Sequence, residues 1–170
     1  MNLASFWLDR LSRAVDAAMI ALVPLLVALT FALVLARYFF SAGSIAAQEA
    51  GLWMHSLIFM LGAAGTLRAD KHVRVDVWQQ RQSPRVQAWI DLLGHALLLL
   101  PFAVFMGWIS FDYVAASWSI AESSREPGGL PGVYLLKAVI PLTAALLLLQ
   151  SLCEIIKRLQ QLASLREPGA

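Results

Sequence analysis

The chain has 170 residues, of which 59% are hydrophobic and 14% charged, with a mean hydropathy of +0.69. Charged residues make up about a quarter of a typical soluble domain, so this composition excludes an ordinary soluble enzyme and specifies an integral membrane protein with a few spans and short loops. The formal charge of +2 comes from basic residues set between apolar runs, where they fix topology rather than bind nucleic acid, and the single Cys153 excludes an internal disulfide or a multi-cysteine metal site.

At the N-terminus, Leu3, Phe6, Trp7 and Leu11 recur at helical spacing apart from Asp9, Arg10 and Arg13. That pattern suits a short helix on the membrane surface, or the first turns of the span that follows. Span one covers about residues 16–37; its run from Ala17 to Ala36 carries no formal charge. The run is too long for a secretory signal peptide, whose apolar core is about 7–15 residues. Arg37 and Tyr38 close it, one snorkelling and the other at headgroup level.

Small residues from Ser41 to Ala47 lead into span two, about 48–68, in which 18 uncharged residues separate Glu49 from Arg68. At about 1.5 Å rise per residue they cover most of a hydrocarbon core of roughly 30 Å. Arg68, Lys71, Arg74, Arg81 and Arg85 then make a basic loop interleaved with Val73, Val75, Val77 and Trp78, the composition of a short interfacial amphipathic helix. Ser83 before Pro84 is an N-cap and first-turn signal that starts the next helix. Span three covers about 88–111 and can extend two or three turns further, until Pro127, Gly128, Gly129, Pro131 and Gly132 break it. Span four covers about 133–154, and residues 160–170 form a polar, flexible tail.

The sequence thus specifies an all-α integral membrane protein, a single domain of four transmembrane helices over residues 1–170. With both termini cytoplasmic, ten Lys and Arg lie inside (Arg10, Arg13, five in the middle loop, Lys157, Arg158 and Arg166) against Arg37, Arg125 and Lys137 outside. That bias is the positive-inside pattern.

No ionisable group falls at mid-depth, which disfavours a small proton-coupled exporter. Glu49 at the start of span two reads as a structural or assembly carboxylate, with Arg37 across the short first loop as the expected partner. His55 and His95 raise an alternative, a haem-binding anchor of a respiratory redox enzyme. Their expected depths differ by roughly 15 Å, too far for one iron, so each is expected instead to hydrogen-bond a neighbouring helix. His72 is expected at the interface. Gly62 to Thr66 offers a small-residue face for close helix approach, and most of the six tryptophans fall near predicted span ends. Such a protein, with no catalytic, cofactor or metal constellation, reads as a component that needs a partner.

The order of polar landmarks, Arg37-Tyr38, Glu49, Trp53, LGAA at Leu61 to Ala64, Arg68, His72 and Val75-Asp76, resembles the small permease subunit of tripartite ATP-independent periplasmic (TRAP) transporters. The stretch SREPGGLPGVYLLKAVIP from Ser124 to Pro141 is similar to the branch labelled mannitol/chloroaromatic or organic-acid type. The resemblance implies a subunit of an ion-gradient-driven uptake system in a bacterial inner membrane, not an enzyme and without a cofactor. Its implied partners are a large multi-span permease subunit, a periplasmic substrate-binding protein and membrane lipids. The large subunit would hold the substrate site while this chain scaffolds it. On that reading Arg37, Glu49, Trp53, Gly62, Arg68, His72 and Asp76 are structural or assembly candidates, and Asp112, Glu122, Arg125 and Glu126 are candidates for docking the binding protein.

Overall fold

A computed structural model describes residues 3–68 and 81–164. Every regular element among them is helical: α1 Leu3–Phe40, α2 Ile45–Arg68, α3 Pro84–Leu93, a π-helical segment Gly94–Leu99, α4 Leu100–Ser119 and α5 Val133–Ser164. The π segment joins α3 and α4 into one rod, so four helices are long and apolar enough to cross a membrane: Ala14–Phe40, Ile45–Leu67, Pro84–Ser119 and Val133–Ser164. Of the two readings of the N-terminus, the structure gives the first turns of the span, since α1 is continuous from Leu3. The basic loop from 69 to 80, with His72 and Asp76, lies outside the described residues.

The start of the third rod is written locally. Ser83 is extended at φ −61° and ψ 151°, its hydroxyl accepts the Val86 N–H, and Pro84 occupies the first turn, where its missing N–H costs nothing. Inside the rod Pro101 would leave the Leu97 carbonyl without its helical donor and press its ring against it. The wider π turn just before Pro101 relieves this, and the Leu100 N–H bonds back to the His95 carbonyl. Pro24 and Pro141 sit within α1 and α5 without ending them, as membrane helices tolerate. Helix α5 runs to Ser164, so residues 160–164 of the expected flexible tail are helical.

The helices form an open array in the order α1, α2, α5, then the α3–α4 rod. Helices α1 and α2 are antiparallel: a Cβ at Gly51 would lie 3.9 Å from the Leu26 and Leu29 side chains, and one at Gly65 would collide with the Asp16 carboxylate. A Cβ at Gly107 would sit 3.4 Å from that of Ala144, so α4 and α5 also approach closely at small residues. Gly62, expected to serve such an approach, has open space where its Cβ would be. It lies on the stripe of α2 that, among the described residues, no other helix covers.

Two apolar clusters hold the array. Leu67, Ala103 and Leu147 pack with Ala63, Leu99, Met106 and Leu148, and Ala88, Leu92 and Leu162 pack with Ile155. Large side chains such as Phe31, Phe59, Phe105, Trp108 and Ile109 point outward. The buried positions include Ser110, Ser117, Thr143 and Ser151. This distribution suits a bilayer, in which lipid solvates the apolar exterior and small polar residues pair between helices.

Candidate functional site at the α4–α5 loop

Helix α4 ends in a Schellman motif. Ala121 takes a left-handed φ of 47°, its N–H bonds the Trp118 carbonyl, and the Glu122 N–H bonds the Ser117 carbonyl. Residues 126–129 then form a β-turn, with the Gly129 N–H on the Glu126 carbonyl at 3.0 Å and Pro127 at the second position. Gly128 supplies the φ of +80° that a type II turn requires at the third. The Ser124 N–H bonds the Leu130 carbonyl, closing the loop on itself.

Two carboxylates fasten this loop to the helices. Glu49, in the first turns of α2, accepts the Ser124 hydroxyl on Oε1 and the Leu130 N–H on Oε2, the latter at 2.6 Å. The expected Glu49–Arg37 pair does not form: Arg37 is exposed at the end of α1, and both oxygens of Glu49 are taken by the loop. Trp53, one turn along α2, lies beneath the loop's exit, where a Cβ at Gly132 would be 3.8 Å from its ring. At the base of the loop Glu122 accepts the Ser117 hydroxyl at 2.6 Å and pairs with the Lys137 ammonium of α5. That ammonium also lies 4.2 Å from the centroid of the Tyr113 ring, and Trp118 meets Tyr134 edge-on at 4.9 Å. The Lys137 ammonium, then the Ser117 hydroxyl, hold the Glu122 carboxyl below the ordinary carboxylate value.

The structure therefore brings Glu49, Trp53 and Glu122 to one loop and turns Glu122 inward. Arg125 and Glu126 are exposed at its tip, and Asp112 is exposed on α4. Ser117, Ser124, Tyr113 and Lys137 are the members sequence reasoning missed. Lys137 carried a usable signal, because a cation entering a membrane helix calls for a counter-charge.

The opposite end is fastened separately. Asp91 of α3 pairs with Arg158 of α5 at 3.2 Å, Arg158 also donates to Gln161, and Lys157 pairs with Glu154 at 2.7 Å. Above Asp91 an apolar groove of about 690 Å³ opens between α2 and the α3–α4 rod, walled by Ala63, Leu67, Leu98 and Phe102 and floored by Leu147. His95 is buried and lines this groove together with Ala63. His55 lies eight residues before Ala63 on α2, about 12 Å back along the helix axis, and is exposed. The two histidines do not share a site. Among the described residues no group of three or more His, Cys, Asp or Glu could hold a metal ion.

Residues 26–161 match the family described as tripartite ATP-independent periplasmic transporters, DctQ component. The match spans most of the chain, from the middle of the first membrane helix to near the end of the fourth. The chain belongs to that family. No curated protein matches the sequence. This DctQ component is thus a membrane-spanning component of a tripartite transporter, the small permease subunit that the polar landmarks resemble.

Proposed function

We propose that this DctQ component is the small subunit of an ion-gradient-driven uptake system in a bacterial inner membrane, scaffolding the large permease subunit and helping dock the periplasmic substrate-binding protein. Both termini face the cytoplasm, as the positive-inside bias requires, and the 120–132 loop faces the periplasm. The observation that carries the scaffold role is the free stripe of α2. Leu52, His55, Phe59 and Thr66 are exposed and Gly62 is open, all on one face between the side packed on α1 and the side packed on α5. An imidazole within a membrane helix is costly against lipid alone, and a glycine notch between aromatic and polar neighbours suits close approach of another helix. The adjoining groove walled by Leu98 and Phe102 continues that surface.

Co-expression with the large subunit and mild detergent extraction tests this. The two chains should co-purify, Gly62→Phe should abolish co-purification, and Ile20→Phe on the lipid-facing side of α1 should not. Co-purification unaffected by Gly62→Phe and by His55→Trp would place the partner elsewhere.

A further inference from the structure

The two carboxylates of the loop end differ in what they do. Glu122 joins the end of α4 to α5 and would be needed for the fold whatever the loop's role. Glu49 reaches across from α2, and the two groups that donate to its carboxylate both belong to the loop: the Ser124 hydroxyl and the Leu130 amide. Ser124 passes the constraint on, because its oxygen also accepts the Glu126 N–H at 3.1 Å. One α2 side chain therefore fixes both flanks of the turn at Glu126–Gly129, while the side chains of Arg125 and Glu126 stay exposed at the tip. A carboxylate placed in the first turns of a membrane helix to order a short surface turn is poorly explained by helix packing, which α1, α5 and the apolar clusters supply. It is well explained by preorganisation, since a loop already held in its binding shape does not lose conformational freedom on contact.

We infer that Glu49 is a positioning residue for the encounter with the soluble substrate-binding protein, presenting Arg125 and Glu126 as a preformed acid–base pair to a complementary pair on that protein. The inference rests on the docking role proposed above. It makes the small subunit's contribution to docking depend on a residue that the soluble protein never touches.

The test uses the two-subunit permease in proteoliposomes with purified substrate-binding protein titrated from outside. When the docking-competent loop is populated a tenth of the time, the apparent affinity falls about tenfold. Glu49→Ala should therefore raise the half-saturating concentration of binding protein about tenfold, with the maximal rate and subunit stoichiometry kept. Glu49→Gln should raise it less, because the amide oxygen can still accept the Leu130 N–H. Ser124→Ala, on the loop itself, should shift it in the same direction as Glu49→Ala, and this holds as the decisive measurement where Glu49→Ala assembles poorly. Unchanged half-saturation in Glu49→Ala, or in Ser124→Ala where that variant decides, overturns the inference. Combined Arg125→Glu and Glu126→Arg separates the two levels. A shift there without one in Glu49→Ala or Ser124→Ala removes the positioning role alone, whereas no shift there removes the docking role on which it rests.

Discussion

Ser151 of α5 donates its hydroxyl to the backbone carbonyl of His95 across the helix interface, at 3.1 Å, and Ser151 is fully buried. That carbonyl lies in the π segment and also accepts the Leu100 N–H, so the bond crosses to the one place where the rod departs from α-helical geometry. The departure and its fastening are adjacent because Pro101 forces the first and a small polar residue is needed for the second.

Ser151→Ala should destabilise the protein by about 1 kcal/mol, the size of an interhelical hydrogen bond in a membrane protein. Ser151→Leu should cost more, about 1–3 kcal/mol, because the site is closed to added volume. Thermal unfolding in detergent distinguishes the two, and a Ser151→Ala protein as stable as the parent would show the bond to be idle.

At the end of α4 the left-handed position is held by Ala121, at φ 47°, and Ser41 takes φ 50° after α1. A side chain there costs roughly 1–2 kcal/mol that glycine avoids. Ala121→Gly should therefore raise stability by about 1 kcal/mol, offset in part by the greater freedom of glycine in the unfolded chain. The check is a higher melting temperature with helicity unchanged by circular dichroism.

Glu122 makes the loop end sensitive to acid. Its carboxyl lies below the ordinary value when folded, so its contribution is complete above the unfolded value of about 4.3 and disappears as pH falls through the folded one. Melting temperatures of the parent and Glu122→Gln should differ near neutrality and converge below about pH 4. A gap constant through that range would mean that the carboxylate is not what Lys137 and Ser117 hold.

Asp91 and Arg158 form a mostly buried pair, with side-chain exposures of 10% and 21%. Removing one partner leaves the other poorly solvated. Asp91→Ala and Arg158→Ala should each cost about 2 kcal/mol, and a double replacement by Leu and Met should cost less than either. Additive single and double effects in a double-mutant cycle would show that the two charges are not coupled.

Hydropathy alone determined the class of this protein. Runs of about twenty apolar residues between charged clusters admit only transmembrane helices, because unpaired backbone is too costly in hydrocarbon. The Ser83-Pro84 start and the Pro-Gly break after α4 were equally legible, since each acts through its own residues' backbone chemistry. Partner choice was not legible. Glu49 looked like the counter-charge of Arg37 because they are neighbours in sequence, yet it meets Ser124 and Leu130, 75 and 81 positions away. Glu122 stood with Arg125 and Glu126 as a docking candidate in sequence, yet the α4–α5 packing sets Lys137 against it. The small face of α2 was visible as composition, but whether Gly62 or Gly65 meets a helix depends on the rotation of α2 about its axis. That rotation, like the order of helices in the array, is decided by side chains brought together from distant parts of the chain, and only the tertiary structure contains it.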